Sequence, residues 1–134
     1  MKVVVDANII ISGLRFGGKP RSILELANRG DLEGFTSNEA MDEVEATLMK
    51  KFGVLTPEWL VIAEALRDSL TVIPTQKLLS VPKLRDKRDL HILAAATHCL
   101  ADCIVSGDKD LLVLGEYKNI QIMKVNDFFE QYHP

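Results

Sequence analysis

The chain has 134 residues and a mass of 14.9 kDa, which is the size of one ordinary domain. Hydrophobic residues make up 47% of it and charged residues 26%, which is typical of a globular protein and excludes a disordered or collagen-like chain. The formal net charge of −3 and the pI of about 5.6 exclude a protein that holds nucleic acid through a broad basic surface. We therefore expect residues 1–134 to form a single domain, in which any contact with nucleic acid is local.

Two further features bear on cellular location and redox state. No apolar run approaches the roughly 18 residues of a membrane-spanning helix, and charged residues come too early for a secretory signal, so we expect a cytoplasmic protein without membrane contact. Cys99 and Cys103 are predicted to be reduced core residues, because one possible bridge is not a disulfide framework. The three histidines do not complete a zinc-ligand pattern with these cysteines.

Short apolar runs alternate with helical patterns along the chain. The first run, Val3-Val4-Val5, is β-branched and ends at Asp6, as in a strand buried on both faces. The other elements are predicted from apolar spacing and from Pro, Ser and Gly at helix ends. In chain order they are a helix over 20–30, a strand at 34–36, a helix from Ser37 to Phe52, a helix from Thr56 with its apolar stripe to Leu70, a strand at 71–73, a polar loop over 75–88, a helix over 90–100, a strand at 103–106, a helix over 108–114, a strand at 120–122 and a terminal helix over 126–132.

This alternation of strands and helices predicts the fold class. It is an α/β domain with a doubly wound parallel sheet and helices on both faces. In such sheets ligands bind beyond the carboxyl ends of the strands, so these ends are where we expect the chemistry.

Four carboxylates lie at or near such positions. Asp6 ends the first strand, Glu43 lies in the helix after the second, Asp89 opens the central helix and Asp108 follows a buried strand. Glu43, Asp89 and Asp108 also have a purely structural explanation. An acid can cap a helix, interact favourably with the helix dipole near the N-terminus, or stabilise a turn. Asp6 differs, since it lies between two apolar runs where an unpaired carboxylate would cost several kcal/mol. It should therefore have a partner.

Helical geometry singles out Glu43 among the acids of its helix. At about 100° per residue it lies on the side of Ala40 and Thr47, flanking the apolar face, so it can reach the edge of the sheet. The neighbouring acids are interpreted as a solvated acidic face: Glu39, Asp42 and Glu45.

If four carboxylates converge, their mutual repulsion either raises their pKa values or is offset by cations, and a metal ion is the simpler explanation. Oxygen ligands with few histidines suit Mg²⁺ or Mn²⁺. Such a site activates water, and two ions about 4 Å apart would stabilise both sides of an in-line attack on phosphorus. The acids thus favour phosphodiester hydrolysis.

The sequence resembles the PIN domain family, specifically the small prokaryotic VapC-like toxins of toxin–antitoxin pairs. The resemblance covers nearly the whole chain and rests on four ordered motifs. These are VVVDANIIIS at 3–12, SNEAMDEV at 37–44, RDKRDLHILAAA at 85–96 and IVSGDKDLL at 104–112.

The resemblance implies an α/β/α domain that cleaves RNA with Mg²⁺ or Mn²⁺. The implied catalytic and metal-binding acids are Asp6, Glu43, Asp89 and Asp108. It also implies that Asn8, Ser106 and Asp110 support the site, with Ser106 standing where many members have Thr.

One motif departs from the family. Relatives often have Asp-Pro-Asp-Asp where this chain has Asp86-Lys87-Arg88-Asp89, so a proline and an acid are replaced by two cations. We expect Asp86 to be an auxiliary group that tunes metal affinity from outside the first ligand sphere.

Basic residues near these motifs are candidates for contacts with RNA phosphates, which need only be few and well placed. A solvated loop would explain them equally well. They are Arg15, Lys19 and Arg21 after the first strand, and Lys83, Arg85, Lys87 and Arg88 before the central helix.

Three functions are compatible with these features. The first is a metal-dependent ribonuclease that is the toxin of a pair, with an RNA substrate, a cognate antitoxin and a homodimer or higher oligomer as possible partners. The second is a PIN-fold binding or scaffold protein without meaningful turnover. The third is a phosphotransfer receiver or aspartyl-phosphate phosphatase, which is disfavoured because Asp6-Ala7-Asn8 lacks the second acid of the phosphatase pattern.

Overall fold

The computed structural model describes residues 1–75 and 90–132. Its strands are β1 (Lys2–Val5), β2 (Glu33–Ser37), β3 (Leu70–Ile73), β4 (Cys103–Val105), β5 (Glu116–Tyr117) and β6 (Ile120–Met123). Its helices are α1 (Ala7–Arg15), α2 (Gly18–Asn28), α3 (Asn38–Phe52), α4 (Thr56–Ser69), α5 (Leu90–Cys99), α6 (Lys109–Leu114) and α7 (Val125–Gln131).

The strands form one sheet in the order β3-β2-β1-β4-β6-β5. All neighbours from β3 to β6 are parallel, and only the short β5 runs antiparallel, against β6. The central strand β1 is buried on both faces, as its run of valines predicts. The predicted α/β fold with a doubly wound sheet is therefore confirmed, with β5 as an antiparallel addition at one edge.

The order of the strands creates a point at which the chain changes direction. From β1 it moves outward through β2 to β3, and it then returns to β4 on the other side of β1. The segments that follow β1 and β4 therefore diverge, although the two strands pair directly, with Val5 opposite Val105. This topological switch point is where open α/β sheets bind their ligands.

Helix α1 is an addition to the elements predicted from the sequence. It covers the apolar run after Asp6, where Ile9 and Ile10 are buried. β-branched residues lower helix propensity only slightly, and packing of the apolar face against the core outweighs that preference. Asp6 caps the helix by accepting a hydrogen bond from the Ala7 N–H group at 2.8 Å.

Two predicted boundaries also move. Helix α2 begins at Gly18, before Pro20, and Leu70 belongs to β3 and not to the end of α4. Leu70 is the point at which the backbone turns from helical to extended, and its side chain is buried in the core.

Close packing of α2 on the sheet depends on the absence of a side chain at Gly34 in β2. A Cβ atom there would lie 2.5 Å from Leu70 Cδ2 and 2.9 Å from Ala27 Cβ, closer than carbon atoms pack. The absence of a side chain at Gly34 thus allows Ala27 of α2 and Leu70 of β3 to pack against the same point of β2.

Cys99 and Cys103 are buried and have free thiols, as the sequence predicts. Burial raises the pKa of Cys103 to about 12, which keeps this thiol protonated and unreactive. Within the described ranges, no helix combines the length and the apolar character needed to cross a membrane.

Candidate active site

Asp6 lies at the carboxyl end of β1, at the switch point of the sheet. Its backbone N–H group donates to Val105 O at 3.1 Å, which continues the pairing of β1 with β4. Only 3% of its surface is exposed. The predicted burial of Asp6 is therefore confirmed, and its carboxylate needs hydrogen-bond donors.

Those donors come from both sides of the switch point. Asp6 Oδ1 accepts from the Ala7 N–H group at 2.8 Å, and Oδ2 accepts from Ser106 Oγ at 2.6 Å and from Asn8 Nδ2 at 3.3 Å. Asn8 also accepts a hydrogen bond from the Gly107 N–H group, at 3.0 Å. Asn8 and Ser106 thus tie the segment after β1 to the segment after β4 through one carboxylate.

Ser106 is the central hydrogen-bonding group of this network. It is completely buried, and its Oγ accepts from the Asp108 N–H group at 3.0 Å while donating to Asp6. A hydroxyl has one proton to donate, so acceptance from Asp108 helps to direct that proton at Asp6. These two bonds are the contacts through which Ser106 would have the supporting role that the resemblance implies.

The pKa of Asp6 is raised above its ordinary value. The largest cause is burial, which penalises the charged form, and the nearby Asp108 carboxylate acts in the same direction. The hydrogen bonds from Ser106 and Ala7, and the proximity of His91, oppose this shift. The described residues of the site therefore compensate the charge of this carboxylate incompletely.

Asp108 is half-buried and caps α6. Its Oδ1 accepts from the N–H groups of Asp110 and Leu111, at 2.9 and 3.3 Å. Capping leaves the second oxygen, Oδ2, outside these two bonds. The structural and the functional interpretations of Asp108 are therefore compatible, and the half-buried Asp110 follows it in the first turn of the same helix.

The structure also reveals a buried histidine that the sequence analysis did not connect with the site. His91, in the first turn of α5, is 8% exposed, and its Nδ1 lies 2.6 Å from Ser37 Oγ. Its pKa is lowered by burial, while Asp6 and Glu39 act in the opposite direction. The position of His91 among apolar residues in the first half of α5 was the available signal, because a buried imidazole needs a partner.

Glu39 differs from the solvated acid that the sequence predicts. It is half-buried, and its Oε1 accepts a hydrogen bond from Thr75 Oγ1. The prediction of a solvated face holds for Asp42, which is exposed, whereas Glu45 is half-buried.

The four predicted acids are only partly brought together by the described residues. Asp6 and Asp108 share Ser106, whereas Glu43 lies on the exposed side of α3. In residues 1–75 and 90–132, no three His, Cys, Asp or Glu side chains form a group that could hold a metal ion. Asp89, the remaining predicted acid, lies outside the described residues, as does Asp86.

The basic residues predicted to contact phosphates differ in their exposure and in their contacts. Arg15 and Lys19 are exposed, and the Arg15 guanidinium lies 4.3 Å from the centre of the Phe52 ring. Arg21 instead donates to the carbonyl oxygens of Gly13 and Leu14, at the end of α1. The others lie outside the described residues: Lys83, Arg85, Lys87 and Arg88.

The family model described as PIN domain matches residues 2–110 of this chain. The matched range contains all four predicted acids. No curated protein matches the chain.

Two solved structures are similar in fold. One is a crystal structure of VapBC2 from Rickettsia felis bound to a DNA fragment from their promoter, with a TM-score of 0.63 and 15% identity, over 91% of this chain and 97% of that chain. The other is VapBC-1 from nontypeable Haemophilus influenzae, with a TM-score of 0.60 and 15% identity, over 94% of this chain and 99% of that chain. At this level of identity the likeness shows a shared fold.

Proposed function

This chain belongs to the PIN domain family, and on that premise we propose that it is a metal-dependent ribonuclease that hydrolyses RNA phosphodiester bonds. The observation that carries the proposal is the buried Asp6 carboxylate at the switch point, held by Ser106 and close to Asp108. A carboxylate buried there, with a raised pKa, costs free energy of folding unless a ligand compensates it. Binding of a ligand at this position would offset that cost.

The chemistry of the donor groups fits a hard divalent cation. Asp6 and the nearby Asp108 offer carboxylate oxygens at this edge of the sheet, and oxygen ligands suit Mg²⁺ or Mn²⁺. The residues proposed to hold the ion are Asp6, Glu43, Asp89 and Asp108. When bound, such an ion lowers the pKa of water and stabilises the charge that develops on the phosphate.

The neighbouring residues of this chain would keep the Asp6 carboxylate in one orientation. Ser106 and Asn8 both donate to its Oδ2, and the Ala7 N–H group donates to its Oδ1. A carboxyl group fixed in this way does not have to reorganise during the reaction. Asp110 and Asp86 are proposed to tune the site from a greater distance.

RNA is the proposed substrate, although the chain is acidic overall. Binding would depend on a few cations that contact phosphates on either side of the cut, and these contacts position the strand without reading its sequence. The proposed contacts are Arg15, Lys19, Arg85, Lys87 and Arg88. The exposure of Arg15 and Lys19 agrees with this role.

We further propose that the protein is the toxin of a toxin–antitoxin pair, and that it acts in the cytoplasm. Support comes from the family and from the fold shared with the VapBC structures. The partners would be an antitoxin protein and a second copy of the chain or a higher oligomer.

Cleavage of RNA by the purified chain tests the proposed chemistry. Activity should require Mn²⁺ or Mg²⁺ and should stop when EDTA is added. Asp6→Asn and Asp108→Asn should each reduce cleavage on the order of 10²-fold or more, because each removes a proposed metal ligand. Glu64→Gln, which neutralises an exposed acid on α4, is the matched control and should leave cleavage unchanged.

Undiminished cleavage by Asp6→Asn would refute the assignment of the site. RNA binding without cleavage at any Mn²⁺ concentration would instead favour the second hypothesis, a PIN-fold binding or scaffold protein.

The toxin role has a separate test in a prokaryotic host. Expression of the chain should arrest growth, Asp108→Asn should be harmless, and co-expression of the product of an adjacent small gene should restore growth. If the neighbouring gene product does not bind the chain, the proposed pairing is wrong.

A further inference from the structure

We propose that Phe16, at the end of α1, is a stacking surface for an unpaired base of the RNA substrate. The proposal rests on the function proposed above and narrows its substrate class to single-stranded RNA. Phe16 is the C-cap residue of α1, and 76% of its surface is exposed. Its ring packs against the ring of Phe52, at the end of α3, with 6.4 Å between the ring centres and 77° between the ring planes.

The backbone around Phe16 is fixed by hydrogen bonds. The Phe16 N–H group donates to Ser12 O at 2.8 Å, which continues the pattern of the helix. Arg21 donates from Nε to Gly13 O at 2.9 Å and from Nη2 to Leu14 O at 3.2 Å, and so closes the end of α1. An aromatic ring that is ordered before binding loses less conformational entropy when a ligand stacks on it. Phe16 is therefore a preorganised ring with most of its surface open.

The surroundings of this ring are basic, although the chain is acidic overall. The Arg15 guanidinium lies 4.3 Å from the centre of the Phe52 ring. Residues 7–24 and 46–57, which include the ends of α1 and α3, contain no acid. These two segments carry five exposed cations: Arg15, Lys19, Arg21, Lys50 and Lys51. A lone exposed ring is common on protein surfaces, whereas a ring set among cations is typical of surfaces that bind single-stranded nucleic acid.

One face of α1 connects the ring with the candidate active site. Asp6 caps the start of α1, and Asn8 in the first turn donates to Asp6 Oδ2 at 3.3 Å. At about 100° per residue, Asn8, Ser12 and Arg15 lie on one face, and all three are at least partly exposed. A helix rises about 1.5 Å per residue, so the backbone of Phe16 lies about 15 Å from that of Asp6. That distance corresponds to four or five stacked nucleotides at about 3.4 Å each.

Stacking on Phe16 requires a base with a free face. In a duplex the neighbouring base pairs cover both faces of a base, so the ring can accept only a base from a single strand, a loop or an end. Stacking tolerates any sequence, because every base has an aromatic face. The ring would therefore select unpaired RNA without selecting its sequence, while the cations hold the phosphates.

Phe16→Leu and Phe16→Trp form a matched pair, because both keep an apolar side chain and only the second keeps an aromatic face. The probes are a short fluorescent single-stranded RNA and the duplex made from the same RNA. Affinity is measured by fluorescence anisotropy, with cleavage blocked by Asp6→Asn. Tyr117→Leu is the control, since it removes a half-buried ring on β5 that lies 5.4 Å from Lys118 Nζ.

We expect Phe16→Leu to weaken binding of the single strand about fivefold or more, and Phe16→Trp to bind at least as tightly as the parent. Affinity for the duplex should be the same in all three. The salt dependence of single-strand binding should stay the same in Phe16→Leu and become weaker in Arg15→Ala, because only Arg15 contacts a phosphate. Tyr117→Leu should bind the single strand normally.

Tryptophan emission provides a second measurement, which does not depend on the folding of Phe16→Leu. The single tryptophan of the chain, Trp59, is only 6% exposed, so bound RNA should change its emission little. In Phe16→Trp the single strand should quench the emission of the new ring, because a base stacks on it, and the duplex should not.

Equal affinity of Phe16→Leu and its parent for the single strand would overturn the inference and leave the proposed ribonuclease intact. Absence of quenching in Phe16→Trp saturated with the single strand would also overturn it. If Phe16→Leu binds RNA normally but no longer binds the product of an adjacent small gene, the ring belongs to a protein interface and the inference is wrong. Stacking without cleavage by the chain with intact Asp6 would support the inference and refute the proposed hydrolysis, whereas a chain that binds no RNA would overturn both.

Discussion

Ser106 Oγ lies 2.6 Å from Asp6 Oδ2, although 100 positions separate the two residues in the chain. The contact follows from the register of β1 and β4, in which Val5 is opposite Val105, so that the next residue of each strand meets the other at the edge of the sheet. Because Ser106 also accepts from the Asp108 N–H group, one hydroxyl connects both acids.

Ser106→Ala should reduce RNA cleavage by about tenfold or more while leaving the protein folded. The substitution removes a donor to Asp6, so the pKa of Asp6 should rise further and the carboxylate should lose its orientation. The rate of cleavage as a function of pH provides the measurement, and its acidic limb should move to higher pH. Ser106→Thr keeps the hydroxyl and should retain most of the activity, whereas Ser22→Ala in α2 should change nothing.

Asp6→Asn should stabilise the metal-free protein at pH 7. The raised pKa means that the native state binds more protons than the unfolded state between the unfolded and the folded pKa, so the free energy of unfolding decreases as pH rises through that window. Above the folded pKa of Asp6, the loss of free energy of unfolding no longer changes with pH. The advantage of the variant should therefore be largest at neutral pH and disappear as pH falls below the unfolded pKa. Urea unfolding in EDTA at several pH values measures it.

Addition of Mn²⁺ at pH 7 should make the unsubstituted chain more stable than Asp6→Asn, because an ion that binds only the native state stabilises it. The melting temperature of the unsubstituted chain should rise and that of Asp6→Asn should respond much less. Equal responses would mean that Asp6 is not a ligand. An asparagine at position 6 has only one acceptor oxygen, so either the Ala7 N–H group or the Ser106 and Asn8 donors would face its NH₂ group. This loss does not depend on pH, and the difference in stability measured below the unfolded pKa gives its size, so it can be subtracted.

Substitutions of Arg15 and Arg21 should have different effects, the first on RNA binding and the second on stability. Arg15→Ala should weaken RNA binding by several-fold with little effect on unfolding, because the guanidinium is exposed and contacts only the Phe52 ring among the contacts described. Arg21→Ala should lower the free energy of unfolding by about 1 kcal/mol, because its donors satisfy two carbonyl groups at the end of α1. RNA binding is measured with cleavage blocked by Asp6→Asn, and stability by urea unfolding. The opposite pattern would contradict both assignments.

Gly34→Ala should destabilise the protein by about 1–3 kcal/mol, because the new methyl group would overlap Leu70 and Ala27. Gly107→Ala is the matched control, since a Cβ atom there lies 3.5 Å from Asn8 Oδ1, at ordinary contact distance. Urea unfolding in EDTA should show little change for this control. An equal loss in the two variants would show that the helix on β2 is not packed as tightly as described.

Local pattern was sufficient to predict the sheet, most of the helices and the position of Asp6. A run of valines that ends in an acid indicates a buried strand with a carboxylate at the edge of the sheet. Burial of the acid requires a partner, and parallel strands place their carboxyl ends at one edge. Helix α1 was not predicted, because three consecutive isoleucines satisfy a strand pattern as well as a helical one. The short β5 is stabilised mainly by its pairing with β6, which a local pattern cannot show.

The contacts of His91 and Glu39 illustrate what a sequence pattern does not determine. Each is polar, and each meets its partner, Ser37 or Thr75, only after distant segments have packed. Helical periodicity gives the face on which Glu39 lies, but not what covers that face. The role proposed for Glu43, which lies on the exposed side of α3, stays a prediction for the same reason.

The pairing of β1 with β4 makes completion of the site wait for the synthesis of β4. The hydroxyl that orients Asp6 belongs to a residue 100 positions further along the chain. Chains emerge N-terminus first, and contacts so distant in sequence cannot form until the second strand has been synthesised. A ribosome making this protein therefore carries an unfinished site until β4 has been synthesised, and if the site is the proposed ribonuclease, this order delays attack by the nascent chain on the messenger RNA that encodes it.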